Sequence, residues 1–128
     1  MRRKLAAVVL GVALAASACG GRGAVLGTTS STCFHALPPA ADAVKHQGRL
    51  VGVRLIEVRR LHRLPAPERL GTGRVCLVAF AGHYDSSALE EPLNAAKGAY
   101  AVVAVRPDGS DVFGTYVVDK LPLVFHHL

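Results

Sequence analysis

The pattern of apolar and polar positions predicts one short helix followed by four strands. Pro38 and Pro39 suit the first turn of a helix, where no backbone donor is lost, and good helix formers continue from Ala40 to Gln47 until Gly48. A helix of this length is marginal alone, so packing must stabilise it. The side that faces the core is expected to carry Leu37, Ala40, Ala41 and Val44.

The first strand-like segment, Leu50 to Leu61, changes its alternation half-way. Val51, Val53 and Leu55 lie on one face of the strand, whereas Ile56 and Val58 lie on the other. Because successive side chains of a strand point to opposite faces, we expect a β-bulge or a bend near Leu55 that turns both sets inward.

The middle of the chain predicts a central strand between two irregular connections. Arg74 to Ala81 is apolar on both faces, which is typical of a central strand, and the link from His62 to Gly73 has the prolines and glycines of a long hairpin loop. Ser87 to Glu90 fits a capping box, but a proline follows closely. We therefore expect a loop with one helical turn from Pro92 to Lys97, ended by Gly98.

A hairpin is predicted near the C-terminus. Ala99 to Arg106 and Asp111 to Lys120 flank the segment Pro107 to Ser110, whose proline and glycine suit a tight turn. One helix followed by four sequential strands predicts an α+β fold, with the short N-terminal helix packed on a four-stranded antiparallel sheet.

This order of elements resembles that of small exported PepSY and cystatin-like domains, in which a helix leads into a curled sheet and a terminal hairpin. The resemblance rests on Tyr100 to Val105, Pro107 to Gly109 and Val117 to Asp119, and covers mainly the last third of the chain. It implies a role in binding or inhibiting peptidases, or in regulating a neighbouring envelope protein. No functional residue is carried over, because no motif position matches. The chain also resembles short actinobacterial lipoproteins.

The first nineteen residues have the parts of an export signal. Three basic residues precede an apolar run of 12 residues from Leu5 to Ala16, which is shorter than the roughly 20 residues that a membrane-spanning helix needs. Small residues then lead to Cys19, and this arrangement resembles a bacterial lipobox. We expect cleavage before Cys19 and lipidation of its thiol, which places the protein on the outer side of the cell membrane.

An ordinary signal peptidase is the alternative. Ala16-Ser17-Ala18 is also an A-x-A site, whose cleavage would release the chain with a free Cys19. The first lipobox position, where Leu is usual, is Ala16 in this chain. Lipidation by two or three acyl chains would retain the protein on the membrane, because a single chain binds only marginally.

The predicted organisation is a signal peptide (residues 1–18), a flexible tether (residues 19–32) and one domain (residues 33–128). The tether is rich in Gly, Ser and Thr, and as a flexible coil it would reach about 20 Å. Removal of 18 of the 128 residues leaves 110, enough for a single core. Three of the fifteen basic residues leave with the signal, so the formal net charge falls from +6 to +3.

The other two cysteines, Cys33 and Cys76, form an even pair in an oxidising compartment, and we predict a disulfide between them. A buried pair of free thiols is an alternative. A catalytic dithiol would require a Cys-x-x-Cys spacing, which the pair lacks.

The segment from Arg49 to Arg74 contains seven arginines and only two acidic residues, Glu57 and Glu68. Such a stripe suits an anionic surface, although arginines also simply solvate the outer face of a strand and its loop. Nucleic acid is not expected as a partner, because the basic segment has no aromatic platform. The candidate contact residues are Arg54, Arg59, Arg60, Arg63, Arg69 and Arg74, and the loop from Tyr84 to Asn94 is the alternative contact surface.

Enzyme chemistry and metal binding have little support in the sequence. His83, Asp85 and Ser87 lie close together in the chain, whereas the members of a catalytic triad come from separate elements. His126 and His127 are neighbours and would point to opposite faces of an extended segment. We expect no catalytic residues, no metal and no cofactor.

The leading hypothesis is a non-enzymatic binding or accessory module, displayed in the cell envelope and contacting another envelope protein or peptide. The alternative is a structural lipoprotein whose partner is the membrane or the cell wall. A small secreted hydrolase is the third hypothesis. In each case the membrane is a partner through the lipid expected on Cys19.

Overall fold

A helical arm opens the part of the chain that the computed structural model describes, residues 28–126. A 3-10 helix, Thr28–Ala36, runs directly into the α-helix α1, Leu37–Ala43, and the prolines lie in its first turn as expected. The helix ends earlier than the predicted Gln47, because Lys45 and His46 adopt left-handed backbone angles (φ 55° and 57°) that turn the chain away. The signal peptide, Cys19 and the tether before residue 28 lie outside the described residues.

Four antiparallel strands form one sheet in the order β1-β2-β3-β4, so the predicted α+β fold is confirmed. The strands are β1 (Arg49–Glu57), β2 (Arg74–Asp85), β3 (Lys97–Val105) and β4 (Val112–Val118). The predicted C-terminal hairpin between β3 and β4 is present. Within residues 28–126 no helix is long and apolar enough to cross a membrane.

The first strand has its bulge at a different place from the predicted one. The pairing with β2 shifts between Leu50 and Gly52, whereas Leu55 and Ile56 pair in regular register with their neighbours on β2. The change of alternation at Leu55 needs no bulge, because both faces of the sheet are covered. Leu55 packs on the face that carries α1, and Ile56 packs on the opposite face.

The helix face, defined as the side of the sheet that carries α1, is held by a disulfide. Cys33 in the helical arm bonds to Cys76 on β2, as predicted, and both residues are fully buried. Ala40 and Val44 are buried against the strands, and Leu37 and Ala41 pack at the margin of this cluster. Small side chains on the helix let it lie close to the sheet.

The second face, opposite α1, is covered without a long helix. The link from β1 to β2 places Leu61 and Leu70 on it, and the segment after β4 adds Val124 and Phe125. The Arg54 Nε group donates a hydrogen bond to the Val124 carbonyl oxygen at 3.0 Å. The ring of Phe125 lies directly over Gly52. These two contacts hold the C-terminal segment across β1.

The outer edge of β4 is occupied by the loop before β3. The Thr115 amide donates to the Glu91 carbonyl oxygen, and the Leu93 amide donates to the Thr115 carbonyl oxygen. The side-chain amide of Asn94 bonds to both backbone groups of Val117. The predicted helical turn from Pro92 to Lys97 is therefore wrong, because this loop uses its polar groups to pair with β4.

The turn between β3 and β4 forms as predicted. The Arg106 amide donates to the Asp111 carbonyl oxygen at 2.9 Å, and Gly109 has φ 75°, which an L side chain rarely adopts. The Asp108 carboxylate accepts hydrogen bonds from the hydroxyl and the amide of Ser110, and these bonds lower its pKa.

Reduction of the disulfide is expected to lower the free energy of unfolding by about 4 kcal/mol, because the bond closes a long loop in the unfolded chain. The measurement is urea unfolding of the Cys19→Ser chain with and without dithiothreitol. A Cys33→Ala/Cys76→Ala variant is the control, since reductant should leave its stability unchanged. Equal stability of the oxidised and reduced chains would contradict the prediction.

Gly52→Ala is expected to lower the free energy of unfolding by about 2 kcal/mol, because the added methyl group would overlap the ring of Phe125 and strain the core. A Cβ at this position would lie 2.6 Å from Cδ1 of Phe125. The check is a double-mutant cycle in urea: in a Phe125→Ala background the same substitution should cost much less. An equal cost in both backgrounds would show that the ring is not the cause.

Candidate functional site

Five of the six predicted contact arginines have exposed side chains near the end of β1 and the start of β2. We call this set the arginine surface; its members are Arg59, Arg60, Arg63, Arg69 and Arg74. The surface is built by the link between the two strands, where the buried residues Val58, Leu61 and Leu70 hold the chain against the second face. The charged residues between these anchors then project into solvent.

Arg54, the sixth predicted contact residue, has a structural contact instead of full exposure. Its side chain is half-buried, and its hydrogen bond to the Val124 carbonyl joins β1 to the C-terminal segment. Arg54 therefore supports the second face of the sheet.

An open cleft of about 650 Å³ lies within the arginine surface. We call it the arginine cleft; it is lined by Glu57, Val58 and Arg59 on one side and by Gly71, Thr72, Gly73 and Arg74 on the other. The Val58 amide donates to the Gly73 carbonyl oxygen at 2.8 Å, which closes the two sides at the base. Glu57 and Arg74 face each other as paired residues of β1 and β2.

Three guanidinium groups act on the single carboxylate of the cleft. Arg59 donates a hydrogen bond to Glu57, and this bond lowers the pKa of Glu57 most strongly. The positive charges of Arg59, Arg60 and Arg74 lower it further. Glu57 is therefore ionised at neutral pH. The cleft lining holds two arginines, Arg59 and Arg74, and this one carboxylate, so its net charge is positive.

A second, smaller depression of about 250 Å³ lies beside the arginine cleft. We call it the apolar groove; Arg60 and Arg63 flank it, and its apolar lining is Leu61, Leu64, Pro122, Leu123 and Val124. Leu123 is 64% exposed. The sequence interpretation did not single out this groove, although the apolar run from Leu121 to Phe125 after the last predicted strand was a signal for it.

His83, Asp85 and Ser87 lie at the end of β2 and in the 3-10 helix that follows it. Asp85 caps the 3-10 helix Ser86–Ala88, and its carboxylate accepts hydrogen bonds from the Ser87 hydroxyl at 2.7 Å and amide at 3.0 Å. These bonds, with the nearby charge of Lys97, lower the pKa of Asp85. His83 is exposed.

The histidines are dispersed over the surface. Nε2 of His46 lies 2.7 Å from the Asp42 carboxylate, and Nε2 of His126 lies 2.9 Å from the Leu121 carbonyl oxygen. In the part of the chain that the structure covers, no three His, Cys, Asp or Glu side chains are arranged to hold a metal ion. His127 lies outside that part.

Comparison with known proteins finds no matching family model, no matching curated protein and no matching solved structure. The resemblance to PepSY and cystatin-like domains stays a prediction.

Tyr116 lies beneath the arginine surface, on β4, next to the 3-10 helix Pro67–Leu70. Its side chain is fully buried, and its hydroxyl has no hydrogen-bond partner among the described residues. Burial, followed by the negative charge of Glu68, raises the pKa of Tyr116 to about 12. Tyr84 is also buried, but its hydroxyl donates to the Gln47 carbonyl oxygen at 2.7 Å.

Tyr116→Phe is expected to raise the free energy of unfolding by about 1 kcal/mol, because it removes a buried hydroxyl without a partner. Tyr84→Phe is the matched control and should lower it by about 1 kcal/mol, since it deletes a hydrogen bond that is made. Both values come from urea unfolding at neutral pH. Above pH 10 the advantage of Tyr116→Phe should grow, because the unfolded tyrosine releases its proton while the folded one retains it. A loss of stability in Tyr116→Phe would contradict the assignment.

Proposed function

We propose that the protein is a non-enzymatic binding module of the cell envelope, exported and anchored through a lipid on Cys19, which binds an acidic segment of another envelope protein or peptide. The observation that carries this proposal is an open cleft in which Arg59 and Arg74 lie on opposite sides of one carboxylate-bearing residue, Glu57. A partner carboxylate would occupy the cleft beside Glu57 and share its guanidinium groups.

The chemistry of the cleft supports an anionic ligand. Guanidinium groups present planar pairs of donors that match the two oxygens of a carboxylate. The Gly71–Arg74 side lets a peptide backbone approach closely, because two of its four residues have no side chain. The cleft is open to solvent, so each ion pair contributes modestly and several must act together.

The remaining hypotheses differ in their support. Asp85 and Ser87 bond to each other within one turn, and this arrangement offers no separate base to activate the serine, which weakens the hydrolase hypothesis. Contact with the membrane surface is favoured by a separate feature, the apolar groove, and is developed below.

Changing the charge of the cleft in both directions tests the proposal. Glu57→Gln should tighten the binding of a fluorescent oligo-glutamate peptide about two- to fivefold, and Arg74→Gln should weaken it by a similar factor. Fluorescence anisotropy at low salt gives the affinities, and high salt should abolish binding in every variant.

Arg49→Gln is the matched control, because Arg49 is exposed at the opposite end of β1, about 26 Å from Glu57. It removes the same charge without touching the cleft. If it weakens binding as much as Arg74→Gln does, only the net charge matters and the cleft is not the site. A photo-reactive residue in place of Thr72, compared with one in place of Ser110, would then identify the partner in cells.

A further inference from the structure

The apolar groove combines exposed apolar surface with positive charge at one place. Leu123 is the most exposed large apolar side chain among the described residues, at 64%. Arg60 and Arg63 stand beside it, and none of the residues that line the groove is acidic. Apolar exposure rimmed by one sign of charge is typical of a surface that binds something amphipathic.

The fold holds Leu123 outward. The two residues that follow Leu123 are held in place, since the Val124 carbonyl accepts from Arg54 and the Phe125 ring packs over Gly52. A short 3-10 helix, Leu123–Phe125, continues this restraint with a hydrogen bond from the Phe125 amide to the Pro122 carbonyl oxygen. Leu123 is thus presented by a structured segment of the chain.

The charge of the domain is asymmetric about this position. Four carboxylates surround a cleft between α1 and the start of β4, on the helix face and at the opposite edge of the sheet; they are Asp42, Glu90, Glu91 and Asp111. The basic groove and the acidic cleft therefore point in different directions. In front of a negatively charged plane, this distribution turns the groove toward the plane and the acidic cleft away from it.

We propose that the apolar groove docks on the surface of an anionic phospholipid bilayer, with Leu123 entering the boundary of the acyl chains while Arg60 and Arg63 contact lipid phosphates. A bilayer offers an apolar layer beneath a layer of phosphate, which matches a groove that holds the exposed Leu123 together with two arginines. This inference goes beyond the proposed function and uses Arg60, Arg63 and Leu123 where that function uses the arginine cleft.

The contact is weak for a free domain and effective for an anchored one. Two arginines and one leucine give modest affinity, but a lipid on Cys19 would hold the groove close to the bilayer and raise its effective concentration. The docked domain would then have a fixed orientation, which leaves α1 and the acidic cleft facing away from the membrane.

The test uses the chain exported with Cys19→Ser, so that no lipid is attached and cleavage after Ala18 releases it. Co-sedimentation is measured with vesicles of phosphatidylglycerol and phosphatidylcholine, and with vesicles of phosphatidylcholine alone. We expect binding only to the vesicles that contain phosphatidylglycerol, and its loss at high salt. Arg60→Gln/Arg63→Gln should weaken binding about 25-fold, at about fivefold per arginine. Leu123→Ser should weaken it about tenfold, by removing an apolar side chain from the contact.

Two matched controls lie at the other end of β1. Arg49→Gln removes one exposed arginine, and Leu50→Ser removes a leucine that is 43% exposed. Each should change vesicle binding less than twofold. Binding that is equal on neutral vesicles, unaffected by Leu123→Ser, or weakened as strongly by the control variants would overturn the proposal.

A spectroscopic measurement reports which residue enters the bilayer. A polarity-sensitive fluorophore on Leu123→Cys should shift to the blue when anionic vesicles are added, and the same fluorophore on Leu50→Cys should not; no shift at Leu123 would also overturn the proposal. Failure of this docking and failure of the proposed function are distinguishable. Loss of oligo-glutamate binding in Arg74→Gln reports on the cleft alone, and the vesicle signal of Leu123→Cys reports on the groove alone.

Discussion

The central strand is apolar on both of its faces, and the rest of the structure is arranged to keep both of them from water. Every residue from Val75 to Phe80 is buried. A sheet with two apolar faces requires two covering layers, and residues 28–126 contain one short α-helix to provide them. The helical arm and its disulfide cover one side. The link between β1 and β2 and the segment after β4 cover the other, with isolated leucines as anchors.

The candidate sites exist because the layer that covers the second face is made of irregular chain with few buried residues. A link that reaches down to the sheet through single buried residues exposes nearly everything between them, which in this chain means arginines. The cleft and the groove are therefore the two sides of one covering segment, separated by Arg60, which lines the groove and also acts on Glu57. The same hydrophobic constraint that builds the core thus determines where the charge is displayed.

Local patterns predicted the parts of the fold that depend on local physics. Three features could be predicted from neighbouring residues or from the number of cysteines. They are the apolar strand β2, the turn at Gly109 and the disulfide between the even pair of cysteines. The position of the bulge in β1 and the conformation of the loop at Glu91–Asn94 could not be predicted, because both depend on contacts with distant parts of the chain. The regular register at Leu55 depends on a second covering layer, and Asn94 bonds to Val117 on β4. For the sites, the arginines were visible as a set. The structural role of Arg54 could not be predicted, since it depends on Val124, 70 residues along the chain. The cleft that joins Arg59 and Arg74 to Glu57 could not be predicted either, since it depends on the pairing of β1 with β2.

The position of Val124 and Phe125 in the chain has a consequence for the order of folding. Ribosomes synthesise a chain from its N-terminus, so all four strands and both cysteines of the disulfide precede these residues. Until then the part of the second face that Val124 and Phe125 cover is exposed to water. A chain truncated just after β4 would contain all four strands, but part of the second apolar face would be exposed to solvent. The second face is thus completed last in chain order, when the ring of Phe125 packs on Gly52.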